Sequence, residues 1–426
     1  MSDITRRRLL GAGAGGAVGL ALGGGGYALG RQEARPDQPG SAHGGAVAFH
    51  GTHQAGIVTP AQDRLVFGAF DLTVGSASEL RDLLRTWSEA AATMTAGRET
   101  GGDAEPPYAP PADTGEAVGL GPARLTITFG LGPGVFERDG EDRLGLLARR
   151  PALLTPLGAL PGDQLEPQLS DGDICVQACA DDPQVAFHAV RNLARAGRGG
   201  AVLRWTQLGF GRSSSTTSDQ VTLRNLQGFK DGTNNLHGDD EQAMSRHVWV
   251  GAQEPQGWFR GGTYMVTRRI RMFIEAWDRD TLSDQQNVIG RFKASGAPLT
   301  GRHEHDPVDL AARTGGGGGG GGPVIARDAH IRLAAPASND GQRILRRGYS
   351  FTDGIDPATG ELDAGLFFIC FQRDPHRQFA AIQRRLGASD ALGEYIQHRS
   401  SALFAIPPGV RRGGFAAEGL FGERQG

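Results

Sequence analysis

Cysteine is nearly absent. The 426 residues hold three, Cys175, Cys179 and Cys370, none in Cys-x-x-Cys or Cys-x-x-Cys-His spacing, which excludes a disulfide framework. Cys175 and Cys179 lie in Asp173-Ile174-Cys175-Val176-Gln177-Ala178-Cys179-Ala180, which reads as a buried strand. Residues four apart on a strand sit roughly 13 Å away and cannot bridge, so all three are expected as small core residues. An excess of one charge is also missing. Forty-four basic side chains against 47 acidic ones give a formal charge of −3, hence no electropositive field, which excludes nucleic acid and an anionic membrane surface as main partners. The long uncharged stretch from Gly11 to Gly30 follows Arg6-Arg7-Arg8-Leu9-Leu10 and is full of glycine. Glycine lowers both helix propensity and apolar transfer energy, which favours a removable signal over an anchor. The pattern is that of a twin-arginine export signal, so export by that machinery is expected, with the mature chain starting between Gly30 and His43.

What is present is a pattern of strands and helices that occurs twice. Past a spacer rich in proline and glycine at 35–46, Leu65 to Leu72 reads as a strand and Ala77 to Ala96 as a helix, with Ser76 as cap and Glu79 completing a capping box. Leu125 to Gly130 alternates as a strand. Asp173 to Ala180 is the next, running into a helix capped by Asp182 with Pro183 at its first position. Ala201 to Phe210 closes a β-α-β-β-α-β order. Phe367 to Ile382 then repeats the strand, Asp-Pro cap and helix, with Phe379 at the offset of Phe187 and Ala381 at that of Ala189. Tyr264 to Trp277 starts this second half. These observations predict an α+β fold of two ferredoxin-like domains packed into one body. The expected division is signal and spacer at 1–42, a first domain at 43–217, a second at 218–415 and a tail at 416–426. Gly315 to Gly322 is an unbroken glycine run, expected as a flexible loop without a function of its own.

The segment Asn225-Leu226-Gln227-Gly228-Phe229-Lys230-Asp231-Gly232-Thr233-Asn234-Asn235 carries the chemistry. One acid stands between glycines, beside an aromatic and ahead of small amide and hydroxyl groups. Glycines let a backbone approach a flat ligand, and a lone carboxylate there can move a proton. By itself Lys-Asp-Gly-Thr is more often a tight turn between strands. Further on, Asp328-Ala329-His330-Ile331-Arg332-Leu333-Ala334 offers an imidazole, and Ile344-Leu345-Arg346-Arg347-Gly348-Tyr349-Ser350-Phe351 offers a guanidinium for the same pocket.

Together these segments resemble the dye-decolourising peroxidase family of haem enzymes, whose Gly-x-x-Asp-Gly motif stands here as Gly228 to Gly232. The likeness also takes in Phe49 to Ile57, Ala180 to Val190, Gly261 to Val266 and Gly290 to Leu299, and so spans nearly all of the chain beyond residue 40. It implies a dimeric α/β-barrel-like body with one non-covalent haem b in the C-terminal half. Its substrates would be hydrogen peroxide and a small-molecule reductant. A homo-oligomer is compatible with this reading.

Splitting peroxide at a haem needs a base to take a proton and return it to the departing oxygen, and a cation to hold the charge that develops. The resemblance gives these roles to Asp231 and Arg346. Arginine stays protonated and favours the ionised carboxylate, which predicts an enzyme working at acid pH, where a histidine base of ordinary pKa about 6.5 is already protonated. Gly228, Phe229, Gly232 and Thr233 are expected against the cofactor. His330 is the implied axial ligand; chemistry alone would not choose it among 11 histidines. His303 and His305 look as metal-like, though a surface loop explains them better. A peroxidase imidazole needs a carboxylate on its other nitrogen. Glu394 is the first candidate and Asp390 the second. Arg347 should diverge from Arg346 and could pair with a propionate, and Phe368 and Leu366 could roof the pocket. Trp258, Trp277 and Tyr349 could relay electrons, each with a good packing alternative. The leading reading is an exported haem peroxidase oxidising bulky phenolic or dye-like compounds. The alternative is a haem-handling protein of the same fold that releases the iron. A binding module without haem is disfavoured by the joint occurrence of Asp231, His330 and Arg346.

Overall fold

Alternation along the strands decides the architecture. In β1 (Arg64–Leu72), Leu65, Phe67 and Ala69 join one apolar cluster while Val66, Phe70 and Leu72 join another, because successive side chains leave a strand on opposite faces. The computed structural model of the chain describes residues 44–101, 108–315 and 321–422. The expected export signal and the centre of the Gly315 to Gly322 run lie outside the described residues.

The remaining strands are β2 (Thr126–Leu131), β3 (Ile174–Ala180), β4 (Ala201–Arg212), β5 (Thr263–Met272), β6 (Leu345–Arg346), β7 (Tyr349–Ile355), β8 (Leu362–Gln372), β9 (Ile396–His398) and β10 (Ala402–Ile406). They form one ten-stranded sheet ordered β6-β8-β7-β4-β1-β3-β2-β10-β5-β9, and β8 also pairs with β5. That last pairing closes a ring from which only the short β6 and β9 project. The ring has two halves. The order β4-β1-β3-β2 is the fourth, first, third and second strand of the N-terminal half, and β10-β5-β8-β7 repeats it in the C-terminal half. All these pairings are antiparallel. The halves join at β4 with β7 and at a single register pair, Ala405 with Leu131. Both expectations, the internal repeat and the barrel-like α+β body, hold.

Inside the ring pack Phe67, Trp205, Phe367 and Phe404, with Cys175 and Cys179 among them; all three cysteines are free and buried. Outside the N-terminal half lie α1 (Ala77–Thr95) and α2 (Pro183–Ala196). Ser76 Oγ accepts from the Glu79 amide at 3.3 Å, but Glu79 Oε2 reaches back to the Gly75 amide, one residue beyond the box position. Asp182 Oδ1 accepts from the amides of Gln184 and Val185. Residues 416–422, expected as tail, pack Ala416 and Leu420 into this same core.

The C-terminal half keeps the strands and changes the helices. It holds α3 (Glu241–His247), α4 (Ile274–Trp277), α5 (Leu282–Ile289), α6 (His330–Ala334) and α7 (Ala381–Ser389), mostly short. Asp374 caps its helix as Asp182 does, accepting from the amides of His376 and Arg377. A π turn over His376–Ala380 then precedes α7, with the Ala380 amide donating to Pro375 five residues back. The extra residue rotates the following side chains. Within this turn Phe379 is 3% exposed where Phe187, at the same sequence offset, is 45% exposed. Turns of this kind concentrate at functional sites, and Phe379 here faces a cavity.

Candidate functional site

The cavity lies on the outer face of the C-terminal half-sheet, where the strand period of two puts it. Arg268, Ile270 and Met272 of β5 and Leu366 and Phe368 of β8 line it, while their neighbours Phe367 and Ile369 fill the ring. Its volume is about 1220 Å³, above the range of about 300–1,000 Å³ usual for small-molecule sites.

Asp231 and Arg346 meet in its wall. Arg346 Nη1 donates to Asp231 Oδ1 at 2.6 Å, leaving the other carboxylate oxygen without a partner among the described residues. Asn235 fixes the Arg346 backbone: its side-chain amide donates to the carbonyls of Ser215 and Arg346, and its Oδ1 accepts from the Arg346 amide, all at 2.8 Å, while the Asp231 amide donates to the Leu223 carbonyl at 3.0 Å. Gly232 lines the cavity with φ +94°, and a Cβ there would stand 2.9 Å from Ser214 Cα. Phe229 is buried in the wall, edge-on to Trp277 behind it. Thr233 lines the cavity and spends its hydroxyl on Glu304 at 3.1 Å.

His330 starts α6. Its Nδ1 bonds Asp390 Oδ2 at 2.6 Å, while Asp390 Oδ1 accepts from the Leu392 amide at 2.9 Å. Burial pulls the imidazole pKa down, but the Asp390 carboxylate outweighs it and the net shift is upward. Asp231 and Arg346 also act on the His330 charge through space, without touching it. With Nδ1 held, Nε2 is the nitrogen left to serve a ligand.

Several expectations need correction. Asp390, not Glu394, partners the imidazole: Asp390 caps the turn Ala391–Tyr395, which fixes its carboxylate toward His330, whereas Glu394 is exposed on the cavity rim. Arg347 cannot reach a propionate there. It leaves β6 opposite to Arg346 and is fully buried against the Thr59 carbonyl and Gln62 Oε1. Gly228 is not on the cavity wall; at φ +82° it makes the turn from Asn225 to Phe229, and a Cβ would meet Lys293 Cε at 2.8 Å. Trp258 and Tyr349 are plain core, whereas Trp277 stands between Phe229 and Tyr395. His303 and His305 are exposed, as expected for a loop.

Sequence reasoning missed Asn235 as the clamp on Arg346, and also His398. His398 lines the cavity, is 8% exposed, and bonds Gln383 through Nε2 at 3.0 Å. Its Nδ1 has no partner among the described residues. Burial, then Arg268, pushes its pKa down to about 3. Nothing in Ile396-Gln397-His398 marks such a residue.

Comparison with known proteins places both halves of the chain in one family. Residues 54–211 match the model of the Dyp-type peroxidase N-terminal domain, and residues 222–411 that of the C-terminal domain. A deferrochelatase of Escherichia coli (strain K12) is 36% identical over 368 residues, covering 85% of this chain and 84% of its own. Ferric DtpA from Streptomyces lividans superposes with a TM-score of 0.80 at 39% identity, covering 91% of this chain and 100% of that one. A DyP-type peroxidase from Cellulomonas bogoriensis gives 0.77 at 38%, covering 88% and 98%. The chain belongs to the Dyp-type peroxidase family.

Proposed function

We propose that the protein is a haem b peroxidase that spends hydrogen peroxide on bulky phenolic or dye-type reductants at acid pH. The observation that carries this is the pairing of Asp231 with Arg346 in the wall of a cavity that also holds the His330–Asp390 pair. The residues fit a haem: one neutral-capable imidazole with Nε2 free, an apolar wall of Phe229, Leu366, Phe368 and Phe379, and a volume large enough for a macrocycle. Bound haem supplies iron that accepts oxidising equivalents from peroxide and passes them to the reductant.

The protein's own residues do the rest. His330 would hold the cofactor through Nε2, with Asp390 keeping the Nδ1 proton and orienting the ring. Asp231 takes a proton from peroxide on the oxygen that Arg346 does not occupy, and returns it to the departing oxygen. Arg346 holds the carboxylate in place and balances the negative charge that grows as the O–O bond lengthens.

The test is Asp231→Asn in rapid mixing with peroxide at acid pH. The account expects the first spectral change to slow by about 10²- to 10⁴-fold. An unchanged rate would refute the role of Asp231.

A second reading, release of iron from haem, is favoured by the name of the Escherichia coli relative. Free porphyrin as the product of incubation with haem would support it, and intact haem after many turnovers would exclude it. Export by the twin-arginine route is proposed on Arg6-Arg7-Arg8 and the uncharged stretch after it. A cytoplasmic location in a fractionated host would overturn that.

A further inference from the structure

A second pocket, of about 500 Å³, lies beside the haem-sized cavity and is lined by Arg246, Arg373 and Arg377. Gln342 lines both, so the two spaces adjoin. None of the three guanidinium groups makes an ion pair among the described residues. The two acids of the pocket are already engaged. Asp374 Oδ1 accepts from the His376 and Arg377 amides, and Glu254 Oε1 from those of Ala152 and Gln256.

The arginines are placed, not scattered. Arg246 is on α3, whose last residue is tied to the end of β8 by the Arg373 amide donating to the His247 carbonyl at 2.9 Å. Arg373 Nη1 donates to the Ser245 carbonyl at 3.3 Å, which holds that side chain along the pocket wall. Gln378 crosses beneath, bonding the carbonyls of His247 and Arg343. The buried His247 reports the local field: burial, then Arg343, Arg246 and Arg373, hold its pKa down. The three guanidinium charges outnumber the two carboxylates, Glu254 and Asp374, that also line the pocket, and none of the three is paired with them, so the pocket keeps an excess of positive charge that an anion would balance. A guanidinium fork matches the planar or tetrahedral oxygens of carboxylate, sulfonate or phosphate.

We propose that this pocket is an anion-binding subsite that holds an organic molecule by its oxyanion groups, with the body of the molecule lying toward Gln342 and the cavity edge. A reductant too large to enter the cavity would thereby be held beside it. The binding stands on the arginines alone; only this use of it rests on the peroxidase reading.

The experiment is calorimetric titration of the haem-loaded protein with naphthalene-1,5-disulfonate and, separately, with inorganic phosphate. Saturable disulfonate binding is expected, weakened by about tenfold or more in the Arg246→Gln/Arg377→Gln double variant and, independently, in Arg373→Gln, with the haem spectrum and melting temperature unchanged. Phosphate binding as tightly as the disulfonate would make a small oxyanion the ligand; disulfonate binding alone would make it an aromatic anion. Absence of saturable binding at millimolar ligand, or affinity equal to wild type in both variants, overturns the subsite. In steady state, the double variant should raise KM for a sulfonated reductant at constant kcat and leave a neutral phenol unaffected. An unchanged KM beside weakened binding would remove the reductant role while leaving the anion site.

Discussion

Replacing Asp390 by asparagine isolates what the carboxylate does for His330. In the wild type, Oδ2 accepts from the imidazole and Oδ1 accepts from the Leu392 amide. Asparagine has one oxygen for these two donors. If it keeps the Leu392 amide, its NH2 faces the imidazole, Nδ1 must become the acceptor, and the proton moves to Nε2, where it blocks iron. If it turns its oxygen to His330, the turn Ala391–Tyr395 loses its cap, at about 1 kcal/mol. Losing such an outer partner typically costs 10- to 100-fold in metal affinity, or about 1.4–2.8 kcal/mol. The assay is the rate of haem transfer to an excess of an apo-globin acceptor, followed in the Soret band. Asp390→Asn should release haem about 10- to 100-fold faster, whereas Glu394→Gln, which alters an exposed carboxylate, should match wild type. Equal release from Asp390→Asn and wild type would refute the assigned support, and rapid release from Glu394→Gln would restore the carboxylate expected from the sequence.

Further outcomes follow from other parts of the site. Gly232→Ala combines a disfavoured φ of +94° with a Cβ 2.9 Å from Ser214 Cα, so thermal melts should show a loss of about 1–3 kcal/mol. Asn235→Ala leaves the Arg346 amide and two carbonyls without partners; it should destabilise by about 1–3 kcal/mol and slow the peroxide step, while leaving haem retention intact. His398 has a folded pKa pushed down to about 3 from 6.5, so between those values the unfolded chain binds a proton that the folded chain does not, and stability falls as pH falls. Denaturant titrations of the haem-free protein should show wild type losing up to about 1.4 kcal/mol more per pH unit than His398→Gln below pH 6.5; parallel pH dependences would refute the burial of a neutral imidazole.

The fold was largely legible because strands announce themselves locally. Alternation in Leu65 to Leu72, and the Asp-Pro caps at Asp182 and Asp374, need only neighbouring residues to be read. The π turn was not legible, since an extra residue in a helical turn is set by what Phe379 packs against, not by its neighbours. In the site, Asp231, Arg346 and His330, which line one cavity, were picked out because motif context named them. The partner of His330 was misjudged between two carboxylates four residues apart. Capping decided it, and the pattern of an acid ahead of Ala-Leu-Gly-Glu was available in the sequence as a clue. The separation of Arg346 from Arg347 followed from strand geometry once β6 was placed. His398 and Asn235 draw their roles from contacts across 15 residues to Gln383 and 111 residues to Arg346, which no local pattern encodes.

A crystal structure of the haem-loaded protein at acid pH tests the central claim most directly. The account predicts iron bonded to His330 Nε2, with Asp390 on Nδ1, and with Asp231 and Arg346 together over the opposite face of the ring. Iron held by another histidine, or Asp231 and Arg346 on the His330 side, would contradict it.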